Sequence, residues 1–145
     1  MLRSVVIALA FVVGAVASGN ATAQTRPELA VGQEWSIRAS APTTARVVIG
    51  RIEPWGAGKV AVSVSILEVP TKYGPVTFGH LPFEETALAA SLDQLVATGV
   101  KPPPVFEQGY AQWKEAKGGV FTIGVDKVIA LIVAQADKAM SQKPE

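Results

Sequence analysis

Residues 59–69 constrain the fold more tightly than any other stretch of the chain. Val60, Val62, Val64 and Ile66 fall on one side of an extended backbone, with Ser63 and Ser65 on the other. Only a period of two produces that separation, so the segment predicts a β-strand whose apolar face needs a core beneath it. Two further strands precede it. Trp35, Ile37 and Ala39 alternate with Ser36 and Arg38, and residues 45–53 are rich in β-branched side chains. Turn chemistry sets them apart: Ala41-Pro42-Thr43-Thr44 lies before the second strand and Pro54-Trp55-Gly56-Ala57-Gly58 after it. The three are expected to pair as an antiparallel meander with one face on a core and the other partly wet.

Beyond residue 69 the period changes. Pro70, Gly74, Pro75, Gly79 and Pro82 leave room only for a short strand around 76–78. Residues 82–97 predict a helix, with Pro82 in its first turn and Glu84 and Glu85 at the positive end of its dipole. Leu88, Leu92, Leu95 and Val96 form its stripe and Gly99 its stop. Lys101-Pro102-Pro103-Pro104 is a stiff connector. Phe106, Tyr110 and Trp113 recur at helical spacing and predict a short aromatic-striped helix that stops at Gly118-Gly119. Residues 120–123 suit a short strand, and 126–140 a helix whose 128–134 run is apolar all round and so expected to be buried on most sides.

Strands first and helices later argue for an α+β fold: a small antiparallel β-meander of three to five strands packed against about three helices. The simplest such arrangement lays one layer of helices on one face of the sheet.

The N-terminus reads differently. Arg3, the 13 apolar or Gly residues at 5–17 and the small-x-small Ala21-Thr22-Ala23 have the layout of a secretory signal cleaved after Ala23. The apolar run is well short of the ~20 residues needed to span a bilayer, so no stable membrane anchor is expected after cleavage. Removing 23 of 145 residues leaves 122, which suits one α+β domain over 24–145 with short polar termini.

Cleavage also removes one of the 13 basic residues, so the remaining 12 balance the 12 acidic ones. A neutral chain has no long-range field for polyanions, which argues against nucleic acid as a partner. The chain has no cysteine, and this excludes disulfides, thiolate metal sites and a cysteine nucleophile. An exported protein without disulfides suggests a bacterial periplasm or secretion beyond it.

His80 is the one histidine, set just before Pro82 with Glu84 and Glu85 close behind. Those three residues are the candidates for general acid-base work; the competing expectation is a histidine bonded to its own loop. One histidine with scattered carboxylates lacks zinc spacing, so no metal and no cofactor is expected. Glu53, Glu68 and Glu107 suit glycoside chemistry only if the fold converges two of them across a cleft. No serine lies in a nucleophile elbow, and Ser63 and Ser65 read as a wet strand face. Among the aromatics, Trp35 and Trp113 sit on patterned apolar faces, whereas Trp55 in its Pro-Gly turn and Tyr73 suit contact with a partner.

Val31-Gly32-Gln33-Glu34-Trp35, Gly79-His80-Leu81-Pro82-Phe83, Gly109-Tyr110-Ala111-Gln112-Trp113 and Gly118-Gly119-Val120-Phe121-Thr122-Ile123 resemble small exported bacterial proteins of unassigned function. That resemblance covers most of the chain after the signal. It implies export and an α+β architecture, and it brings no chemistry. The sequence thus points to a non-catalytic binding or accessory module for a protein, peptide or envelope component, contacting it through Trp55, Tyr73 and His80. The alternative is a small hydrolase-like enzyme using His80 with Glu84 or Glu85.

Overall fold

The computed structural model describes residues 26–142. The expected signal at 1–23 lies outside them. The described chain runs β1 (Glu34–Ile37), β2 (Arg46–Pro54), β3 (Val60–Val69), β4 (Val76–Glu84), α1 (Glu85–Ser91), β5 (Leu92–Ala97), α2 (Val105–Glu115) and α3 (Val125–Ser141). Its five strands form one sheet in the order β4-β3-β2-β1-β5, with every neighbouring pair antiparallel. This is the expected α+β arrangement. The first four strands form the meander, and α1 carries the chain from the β4 edge to the opposite edge, where β5 joins β1.

One face of the sheet holds the hydrophobic core. Val62, Val64 and Ile66 of β3, Val47 and Ile49 of β2, and Trp35 and Ile37 of β1 cluster with Leu88 of α1 and with Val125 and Val128 of α3. Each fully buried side chain of this size contributes about 1.5–3 kcal/mol before the entropic cost of ordering it. The alternation in β3 therefore does what its period predicts.

The other face is not wet. Ser63 and Ser65 are 1% and 0% exposed, because α2 lies over them. A single layer of helices is thus the wrong arrangement: α1 and α3 cover one face and α2 the other. Glycines allow α2 this close approach. A β-carbon on Gly50 would fall 2.3 Å from the Phe106 ring, one on Gly79 2.8 Å from Val105, and one on Gly109 2.7 Å from the β-carbon of His80.

The helix expected over 82–97 is also corrected. Pro82 and Glu84 belong to β4, which runs well past 76–78, and only Glu85–Ser91 is helical. Pro82 is tolerated because β4 is an edge strand. Residues 92–97 are extended, since without them β1 would present a row of unpaired backbone groups. Trp35 pairs with Leu95 and Ile37 with Leu92, while the Arg38 amide donates to Ser91 O at 2.8 Å and the Gln94 amide to Ser36 Oγ at 3.0 Å. Leu95 and Val96, which complete the helical stripe on paper, are about half exposed. Gly99, with φ 68°, turns the chain after β5 rather than ending a helix.

The last two elements differ from expectation in extent. The strand expected at 120–123 reduces to one parallel bridge between Phe121 and Phe83. In α3 only Val125 and Val128 are fully buried, and Leu131 and Met140 are more than half exposed, so this helix is not buried on most sides.

Ser91 ties the α1 end to the α3 start. Its Oγ donates to Ala87 O at 2.9 Å and accepts from the Val125 amide at 3.0 Å. Val125 is wholly buried, so that amide has no water to turn to. Ser91→Ala is expected to destabilise the fold by about 1–3 kcal/mol, the cost of an orphaned buried donor. Urea unfolding checks this, and an unchanged midpoint would mean that the amide finds another acceptor.

Candidate functional site

The side chains singled out from the sequence converge beneath and beside α2. Phe106, Gly109 and Trp113 recur every three or four residues and so share the α2 face that meets the sheet. His80 rises from β4 directly under Gly109. Its ring lies with centroid separations of 5.5 Å from Phe106, 5.8 Å from Tyr110 and 5.5 Å from Trp113. Beneath it, His80 Nε2 is 2.9 Å from Ser63 Oγ. This bond satisfies a hydroxyl that the helix has cut off from water. Burial pushes the imidazole below its ordinary 6.5, against the opposing pull of the Glu53 carboxylate.

Glu53, at the end of β2, fastens α2 from the side. It accepts a hydrogen bond from Tyr110 Oη at 2.8 Å and one from Lys114 Nζ at 2.7 Å. Burial alone would raise the Glu53 carboxyl, but the hydrogen bonds from Lys114 and Tyr110 and the charges of Lys114 and Arg51 outweigh it and hold the group below the usual carboxylate range. Burial, with the Glu53 bond and charge adding to it, raises the Tyr110 phenol. Arg51 stacks its guanidinium 4.2 Å from the Tyr110 ring centre and bonds Glu107 at 3.1 Å. Both ends of this network are exposed, so the ion pairs orient α2 more than they stabilise it.

Trp55 stands at the outer end of the same layer. Its turn is closed by the Trp55 amide on Lys59 O at 2.8 Å and passes through left-handed backbone at Gly56, Ala57 and Gly58. The indole is half-buried and stacks on Trp113 at 5.3 Å between centroids with 24° between planes. Trp113 is fixed in turn. Its Nε1 donates to Gly119 O at 2.8 Å, and a β-carbon on Gly118 would fall 2.3 Å from its ring. Trp55, Trp113, Lys114, Lys117 and Gly118 line a shallow depression of about 210 Å³.

The structure therefore joins some of the expected residues and separates others. His80 and Trp55 share one layer through Trp113. Tyr73, 61% exposed, lies on the opposite side of the sheet, in a groove with Val76, Phe78 and the second half of α3. Glu84 faces Lys59 at 3.8 Å, and Glu85 opens α1. Among the described residues no hydrogen bond or ion pair links either carboxylate to His80. Glu53 is held by Lys114 and Glu107 by Arg51, and Glu68 is an exposed strand residue. Ser63 and His80 are spaced like a nucleophile and its base, but the hydroxyl is sealed under α2, where no substrate carbonyl can approach it. Trp35 is core, as its pattern predicts, with its Nε1 on Gln33 Oε1 at 2.9 Å; Trp113 is instead half-buried in the aromatic layer.

Sequence reasoning missed Ser63 as the partner of His80, and it missed the Glu53, Tyr110 and Lys114 cluster. The local signal was the serine face of β3, whose period shows two hydroxyls on one side without showing what covers them.

No protein-family model, curated protein or solved structure matches this chain.

Gly109→Ala would stabilise a free helix by about 1 kcal/mol. Here the added methyl meets the His80 β-carbon, and a net destabilisation of about 1–3 kcal/mol is expected from overpacking. A gain in the urea midpoint would show that α2 does not dock as described.

The pH dependence follows from the same contact. Because the folded His80 holds its proton less well than the unfolded residue, unfolding takes up a proton below about pH 6.5. Stability is expected to be flat above that value and to fall as the pH drops from 6.5 toward 5. His80→Gln, which keeps a partner for Ser63, should flatten that slope. Urea midpoints across this interval test it, and an identical slope in the variant would contradict it.

Proposed function

We propose that this chain is an exported bacterial protein, periplasmic or secreted, that acts as a non-catalytic binding or accessory module for a protein, peptide or envelope component. The stacked Trp55–Trp113 pair carries the proposal. Two large indoles at the surface are held by a tight turn and by a helix end, so a partner meets them without ordering them first. The signal-like N-terminus supports export, and the absence of cysteine in an exported protein favours a bacterial source. Among the described residues no helix is long and apolar enough to cross a membrane.

His80 serves this module as the support on which Trp113 rests. The hydrolase-like alternative assigns it acid-base work with Glu84 or Glu85, to which it is not bonded. The two roles separate under mutation.

In crosslinked co-purification from the envelope of its own cells, Trp55→Ala should weaken retention of the partner by about 2 kcal/mol, roughly thirtyfold. His80→Gln should retain it. The reverse pattern, with His80 required and Trp55 dispensable, would favour the enzyme.

A further inference from the structure

The depression beside the tryptophan pair has a chemistry that narrows its occupant, given that this surface is the binding surface proposed above. Trp55 and Trp113 are stacked too closely to admit a ring between them, so a ligand meets an outward indole face. The Trp113 N–H is already spent on Gly119 O. Trp113 also has Trp55 on one face and the Lys114 ammonium 5.9 Å from its ring centre, so the indole face left for a ligand is the outer one of Trp55.

Cations line the same depression. Lys114 is committed to Glu53, whereas among the described residues Lys117 has neither an ion pair nor a side-chain hydrogen bond. Lys117 also stands where glycine is the usual residue. Helix α2 caps at Ala116, and Lys117 follows in the left-handed region at φ 51°. A side chain there strains the backbone, so local folding alone does not favour lysine at this position.

A flat apolar face with an unpaired ammonium beside it complements a ring that has one hydrophobic side and one negative charge. The depression is small, about 210 Å³. The depression also sits at the tip of the β2–β3 hairpin, and the nearby end of the β4 edge is already paired with Phe121 through Pro82 O and the Glu84 amide, so a peptide backbone has no partner there. We infer that this depression binds a carboxylated sugar residue of an acidic glycan, with the pyranose on the indole face and its carboxylate on Lys117.

The probe is a galacturonate tetrasaccharide, titrated into the mature protein at low salt and followed by tryptophan fluorescence and by shifts of the indole N–H signals in NMR spectra. Saturable binding is expected, weakened about tenfold or more by Trp55→Ala and by Lys117→Gly, and weaker at high salt. Lys117→Gly relieves the left-handed strain, so its loss of binding cannot be put down to unfolding. A neutral glucose tetrasaccharide should bind much more weakly, and Lys117→Gly should not affect it.

No saturation with the uronate, equal binding of the neutral sugar, or tighter binding of a penta-glutamate peptide or a nucleoside monophosphate would each overturn the glycan assignment. If Trp55→Ala still abolishes envelope retention in that event, only the ligand class has failed. If Trp55→Ala leaves both sugar binding and retention intact, the binding surface itself has been misplaced.

Discussion

The serine face of β3 is the constraint around which the rest of the molecule is arranged. Ser63 and Ser65 are too polar to bury bare, yet α2 covers both. Each is rescued by a partner on β4: Ser63 by the His80 ring, and Ser65 by Gly79 O at 2.6 Å. With those bonds made, no buried side-chain polar atom among the described residues lacks a partner. His80 is thus fixed by a neighbouring strand's need for hydrogen bonds. The aromatic residues of α2 then close over it.

Docking over small and polar residues changes what the helix can do. On the aliphatic sheet face the start of α3 buries Val125 and Val128 fully. Helix α2 sits on glycine and serine, so it comes close at Gly109 and its rings spread sideways. Phe106 is buried, Tyr110 reaches Glu53, and Trp113 emerges at the hairpin tip to meet Trp55. The half-buried indole pair at the hairpin tip is a consequence of the close approach that Gly50, Gly79 and Gly109 permit.

Much of this was legible in the sequence, and the misreadings share a cause. The alternation at Val60, Val62, Val64 and Ile66 and the spacing of Phe106, Tyr110 and Trp113 each report a local period, and those elements are where the pattern puts them. Leu88, Leu92, Leu95 and Val96 also fit a helical stripe, but the chain abandons it at Leu92. The open edge of β1 offers backbone pairing there that a helix end cannot match. The second face of β3 was misread for a related reason. A run of small polar residues looks the same whether it meets water or a glycine-bearing helix, and Gly109 shows its purpose only once His80 is beneath it. Glu53 and Tyr110 lie 57 residues apart, and no local pattern connects them.

The two faces contribute unequally to stability. The α1 and α3 face holds the continuous aliphatic cluster, which supplies most of the hydrophobic stabilisation. The α2 face contributes one large buried ring, Phe106, together with hydrogen bonds and exposed ion pairs of small net value. Substitutions at Trp55, Lys114 or Lys117 therefore act away from the main core, and the sheet is expected to stay folded through them. Under the proposed binding role such a surface can vary with its ligand, because the proposed contact residues are not those that build the aliphatic core. His80 differs from them. It lies between Ser63 below and Trp113 above, so a change there reaches the docking of α2, while a glutamine in its place keeps a partner for Ser63 and leaves the indole pair seated.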